Sequence, residues 1–97
     1  MVALNSTKRK FALGRVVATP GAMAALAASG QTPGEFLRRH VAGDWGDVSA
    51  ADARANDESL GSGDRLLSSY RTSLGTTIWI ITEADQSATT LLLPDEY

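Results

Sequence analysis

One histidine, His40, stands in this chain of 97 residues. Histidine is the side chain whose ordinary pKa lies near neutrality, where a general acid or base works best. With Tyr70, Arg71 and Glu83 it completes the set of residue types that small metal-independent ribonucleases use for proton transfer and phosphate neutralisation. A catalytic reading would therefore rest on His40, Arg71 and Glu83. No second histidine and no serine motif supplies a nucleophile–base–acid triad. At the end of a helix His40 also suits a structural role, its charge favoured by the helix dipole.

The carboxylates Asp44, Asp47, Glu83 and Asp85 could give Mg²⁺ or Ca²⁺ an oxygen site if their two loops met. Asp and Gly are also what a tight turn asks for, and the turn role is the one adopted for Asp44-Trp45-Gly46-Asp47. One histidine and no cysteine supply too few of the ligands that zinc prefers. Gly21 and Gly30 belong to no GxGxxG or GKS/T phosphate cradle. No metal and no cofactor are expected. Trp45, between aspartates and glycines, either anchors its loop in the core or is offered to a partner. Asp44, Trp45 and Asp47 are accordingly the candidate binding residues, and the binding reading requires Trp45 to be at least partly exposed.

The elements that position these residues can be read along the chain. Residues 1–10 are polar and basic and form an expected flexible N-terminal segment. Residues 11–97 form one domain. FALGRVVA (11–18) reads as a strand ending on β-branched Val16 and Val17. Thr19-Pro20 starts an alanine-rich helix that Gly30 ends. Thr32-Pro33-Gly34-Glu35 repeats the start signal as a capping box. Phe36, Leu37 and Val41 then give the second helix an apolar side, with Gly43 as its stop. Ser49 caps a third, surface-lying helix to about Leu60, anchored by Val48, Ala51, Ala55 and Leu60. Beyond Gly61-Ser62-Gly63 the period becomes two. Residues 65–72, 76–83 and 88–93 read as strands joined by hairpin loops at 73–75 and 84–87, and Pro94 ends the ladder. The expected fold is α+β, order β-α-α-α-β-β-β: three helices on a small antiparallel sheet that the first strand joins. IWII (78–81) is apolar on both faces, which predicts a middle strand covered on both sides and Trp79 in the core.

LGRVVATPGA (13–22), HVAGDWGDV (40–48) and IWIITEADQSATTLLLPDEY (78–97) resemble a family of small bacterial proteins carried on plasmids and integrated mobile elements. The resemblance covers nearly all of 11–97. It implies a setting in mobile DNA and carries over no catalytic residue. Small proteins in that setting often act against host defence or in plasmid maintenance.

A hydrophobic share of 43 % is that of a globular chain. The absence of cysteine removes disulfides and thiolate chemistry and points to the cytoplasm. Ala22–Ala28, the longest apolar stretch, falls far short of the roughly 20 residues that span a bilayer, and no apolar segment follows Lys8-Arg9-Lys10 as a secretory signal would require. Residues 1–40 carry a net charge of +5 and residues 41–97 a net −7, for −2 overall. That acidity argues against nucleic acid as a partner, while the asymmetry can steer a protein partner toward one face. The expectation is a non-enzymatic accessory protein that binds a host or plasmid protein, with a small nuclease or toxin-type enzyme as the alternative.

Overall fold

The computed structural model describes residues 9–97; the expectation for 1–10 lies outside the described residues except at Arg9 and Lys10. The fold is α+β, in the order read from the sequence. Strand β1 (Arg15–Ala18) is followed by helices α1 (Pro20–Ser29), α2 (Pro33–Val41) and α3 (Ala50–Ser62). Strands β2 (Leu66–Arg71), β3 (Thr77–Thr82) and β4 (Ala88–Leu92) come next, and then a 3₁₀ turn at Pro94–Glu96. No described helix is long and apolar enough to cross a membrane.

The helices start where their sequences say. Thr19 accepts a hydrogen bond from the Ala22 amide and Ser49 from the Asp52 amide, each satisfying one orphan donor of a first turn. Thr32 departs from the expected capping box: its hydroxyl caps nothing, and Glu35 instead accepts from the Gln31 side chain. Pro33 at the first helical position still starts the helix.

The sheet order is β1-β4-β3-β2. β2, β3 and β4 form the expected antiparallel meander, while β1 joins at the β4 edge in parallel, Val16 beside Thr89 and Ala18 beside Leu91. The sheet is therefore mixed. β1 is also shorter than the run 11–18. Gly14 takes φ +64, with no space for a Cβ against the Ser87 carbonyl, so the chain turns there. Phe11 leaves the sheet to pack in the core, and Leu13 packs against the same cluster.

All three helices lie on one face of the sheet. Ala22 and Leu26 of α1 and Phe36 of α2 meet Tyr70, Ile78, Ile80 and Leu91. Phe11, Trp45 and Leu66 form a second cluster, with Val48, Ala53 and Leu60 around it. The inner side of α3 is thus Ala53, Asn56 and Leu60; Ala51 and Ala55, expected as anchors, are exposed. Residues alternate along each strand, so Leu67, Ser69, Arg71, Thr77, Trp79, Ile81, Thr90, Leu92, Arg15 and Val17 share the opposite, helix-free face.

Candidate functional site

His40 ends the buried side of α2 and is fully enclosed. Phe11 and Trp45 meet its ring edge-on. Nδ1 lies 2.5 Å from Ser68 Oγ and Nε2 2.9 Å from Thr82 Oγ1. Thr82 Oγ1 is 2.7 Å from Thr89 Oγ1, and Thr89 donates to the Leu13 carbonyl. A carbonyl can only accept, and each hydroxyl has one proton. The Thr89 proton therefore goes to Leu13, the Thr82 proton to Thr89, and Thr82 must accept from Nε2–H. Nδ1 is left as the acceptor for the Ser68 hydroxyl. The chain of bonds selects the neutral Nε2–H tautomer, and burial pushes the imidazole pKa down to about 4. His40 thus bridges the interior face of α2 to three strands.

The catalytic set of the sequence reading is not assembled. Arg71 pairs with Thr77 at one end of the β2–β3 hairpin, whereas Leu66 pairs with Thr82 at the other, next to Glu83. Five residues of strand separate the two ends, roughly 17 Å. Both Arg71 and Glu83 are exposed, and neither reaches the enclosed His40.

The 44–47 loop holds a correction. Trp45 is 5 % exposed, and its indole N–H donates to Asp57 Oδ1 at 3.0 Å. The requirement that the binding reading placed on Trp45 is not met: the indole is a core plug stacked on Phe11. Asp44 and Asp47 are exposed and serve the loop itself. Asp44 forms an ion pair with Arg39 at 2.7 Å, which holds its carboxyl below the usual range, and accepts from the Gly46 amide. The Asp47 amide donates to the Ser69 carbonyl. Among the described residues no group of three or more His, Cys, Asp and Glu side chains could hold a metal ion.

Trp79 is the second correction. It lies out of phase with Ile78 and Ile80, both fully buried beneath the helices, and so points to the helix-free face, where it is partly exposed. Tyr97 meets it edge-on at 6.0 Å between ring centroids, and Arg65 stacks over the Tyr97 ring and donates to its hydroxyl. Leu67, Ile81 and Leu92 form the floor beneath this group, and Arg71 is diagonal to Trp79 across the β2–β3 pair. Trp, Tyr and Arg are the residue types that carry binding energy at protein interfaces. Sequence reasoning missed this cluster. The signal was the helix count: three helices preceding a meander can all lie on one face, and the alternating strand then commits its odd residues to the other.

Comparison of the chain with protein-family models, with curated proteins and with solved structures gave no match.

Proposed function

We propose that this chain is a non-enzymatic protein-binding module, a cytoplasmic accessory protein of mobile DNA that engages a host or plasmid protein through the helix-free face of its sheet. Action against host defence or in plasmid maintenance is the role that its resemblance to plasmid-borne proteins suggests. The supporting observation is the partly exposed Trp79, packed with Tyr97 and Arg65 over an apolar floor. A flat aromatic anchor with arginines around it suits a partner surface that is apolar at its centre and acidic at its rim. Asp44 and Asp47 of the earlier candidate set remain exposed, but on a loop whose tryptophan is spent on the core.

The test uses the full chain immobilised in wild-type form, as Trp79→Ser with Arg71→Glu, and as Arg38→Glu on the helix side. Each is exposed to a host extract after circular dichroism has shown that it is folded. A protein retained by wild type and Arg38→Glu, and lost with the sheet-face variant, is the expected result. Equal retention by all three, or loss only with Arg38→Glu, would overturn the assignment of the face.

A further inference from the structure

The two edges of the sheet are finished differently. At the β2 edge, the outward groups of Leu67 and Ser69 are all paired. Asn56 Nδ2 donates to the Leu67 carbonyl and Asn56 Oδ1 accepts from the Leu67 amide. The Ser69 amide donates to the Trp45 carbonyl, and the Ser69 carbonyl accepts from the Asp47 amide. A side-chain amide and a three-residue loop thus stand in for a fifth strand. At the β1 edge, Arg15 and Thr19 donate to Ser87 and Leu91, so the alternate residues Val16 and Ala18 turn their amides and carbonyls outward. Among the described residues nothing pairs with them. Val16 and Val17 are 44 % and 39 % exposed, which is an uncommon way to leave an edge strand.

We infer that β1 pairs antiparallel with β1 of a second copy of this chain, extending the sheet to eight strands across a two-fold axis at Val16. The register follows from the backbone. Residues opposite one another in an antiparallel pair share a face, and the pair that exchanges both hydrogen bonds must have both sets of groups turned outward. Val16 opposite Val16 of the other copy satisfies both conditions, and places Arg15 opposite the other copy's Val17, with that copy's Thr19 on one diagonal and its Arg15 on the other. The two Arg15 side chains thus share a diagonal, and a carboxylate near the other diagonal offsets their repulsion. Arg15 has no ion pair among the described residues. Glu96, whose carboxylate accepts from the Thr19 hydroxyl and the Gly21 amide, sits where the other copy's Arg15 arrives, within the reach of a long side chain at a diagonal position. The symmetry makes two such Arg15–Glu96 pairs. Both lie on the helix-free face, so pairing would also join the two binding faces proposed above, although it does not depend on them.

Strands of four residues make a weak interface, well under the size of a stable dimer. Association is therefore read by sedimentation equilibrium of the full chain as a concentration series. The expected result is a mass rising toward twice 10.2 kDa and falling back when salt is added, because the ion pairs are screened. Arg15→Glu brings like charges together and should weaken association about tenfold or more. Val16→Pro removes only an outward amide, so the β1–β4 ladder persists while dimerisation is lost. The chain has no cysteine, so Val16→Cys reports the register: the opposed Cα atoms would be about 5.5 Å apart, inside the span of a disulfide. Air oxidation should cross-link Val16→Cys and not Val17→Cys. A monomer at the highest concentration the protein tolerates overturns the proposal and leaves the edge to a strand of another protein. A dimer that survives Val16→Pro and fails to cross-link at position 16 overturns it equally, by placing the interface elsewhere.

Discussion

His40 spends both ring nitrogens inside the fold, and its burial sets a pH dependence. In the unfolded chain its pKa is near 6.5; in the folded protein it is about 4. Between these values the unfolded state binds the extra proton, so stability is complete above about pH 6.5 and falls as the pH drops toward 4. The full loss is about 3 kcal/mol, a large share of the margin of a small domain. The lowered carboxyls of Asp44 and Glu96, held down by Arg39 and Thr19 respectively, lose their contribution only at lower pH. The upper window therefore belongs to His40. Thermal melts from pH 7.5 to 4 should show this decline, and His40→Gln should start lower and flatten it; an unchanged slope would mean that the ring titrates normally. The two tryptophans differ for the same reason of enclosure. Trp45→Ala empties a packed site, costing about 3–5 kcal/mol, while the exposed Asp57 exchanges the indole for water. Trp79→Ala removes a partly solvated ring and should cost only about 1–2 kcal/mol. Urea denaturation of both variants checks the order, which the reverse ranking would refute.

At the scale of elements, α3 and the 44–47 loop act together as an edge cover. Gly46 makes the loop possible: it sits at φ +77, and a Cβ there would meet the Ser69 carbonyl oxygen at 2.1 Å. Asn56 is the one residue of α3 that is buried outright, and its amide matches the donor and acceptor of Leu67 one for one. Asn56→Ala leaves both backbone groups buried and unpaired, at a cost of about 2–3 kcal/mol. Asn56→Asp should be nearly as costly, since a carboxylate can accept from the Leu67 amide but cannot donate to its carbonyl. Melting temperatures of the two variants, with light scattering to detect association through the uncovered β2 edge, measure this. Wild-type behaviour of Asn56→Ala would show that water replaces the amide.

The whole molecule joins a local meander to a distant strand. β2, β3 and β4 are neighbours in sequence as well as in space, whereas β1 reaches β4 across more than seventy residues. β3 lies between β4 and β2 and carries the fully buried Ile78 and Ile80. Its amides should exchange with solvent hydrogen only on global unfolding, while the outward Val16 amide of a single molecule should exchange early. Hydrogen exchange in dilute solution, followed residue by residue, reads both, and slow exchange at Val16 together with fast exchange in β3 would contradict this ordering.

How much of this was legible in the sequence follows from how local each cause is. Caps, helix stops and hairpin loops depend on a few adjacent residues: Thr19-Pro20, Ser49, Gly30 and Gly75 act through their own backbone preferences, so element order and the α+β class were determined by the sequence alone. The direction of β1, parallel to β4, was not, because nothing local distinguishes a parallel from an antiparallel partner for four residues of RVVA. The fates of the two tryptophans were likewise decided by packing. IWII reads as core from either side, and only the gathering of all three helices on one face turned Trp79 outward. Trp45 lies in a run that looks like a surface turn, yet the gap between α2, α3 and β2 takes its ring, with Asp57, about two turns along α3, accepting its N–H. His40 was visible as the lone titratable ring near neutrality. Its enclosure, tautomer and low pKa came from Ser68, Thr82 and Thr89, uncharged residues on three strands whose convergence only the tertiary fold provides.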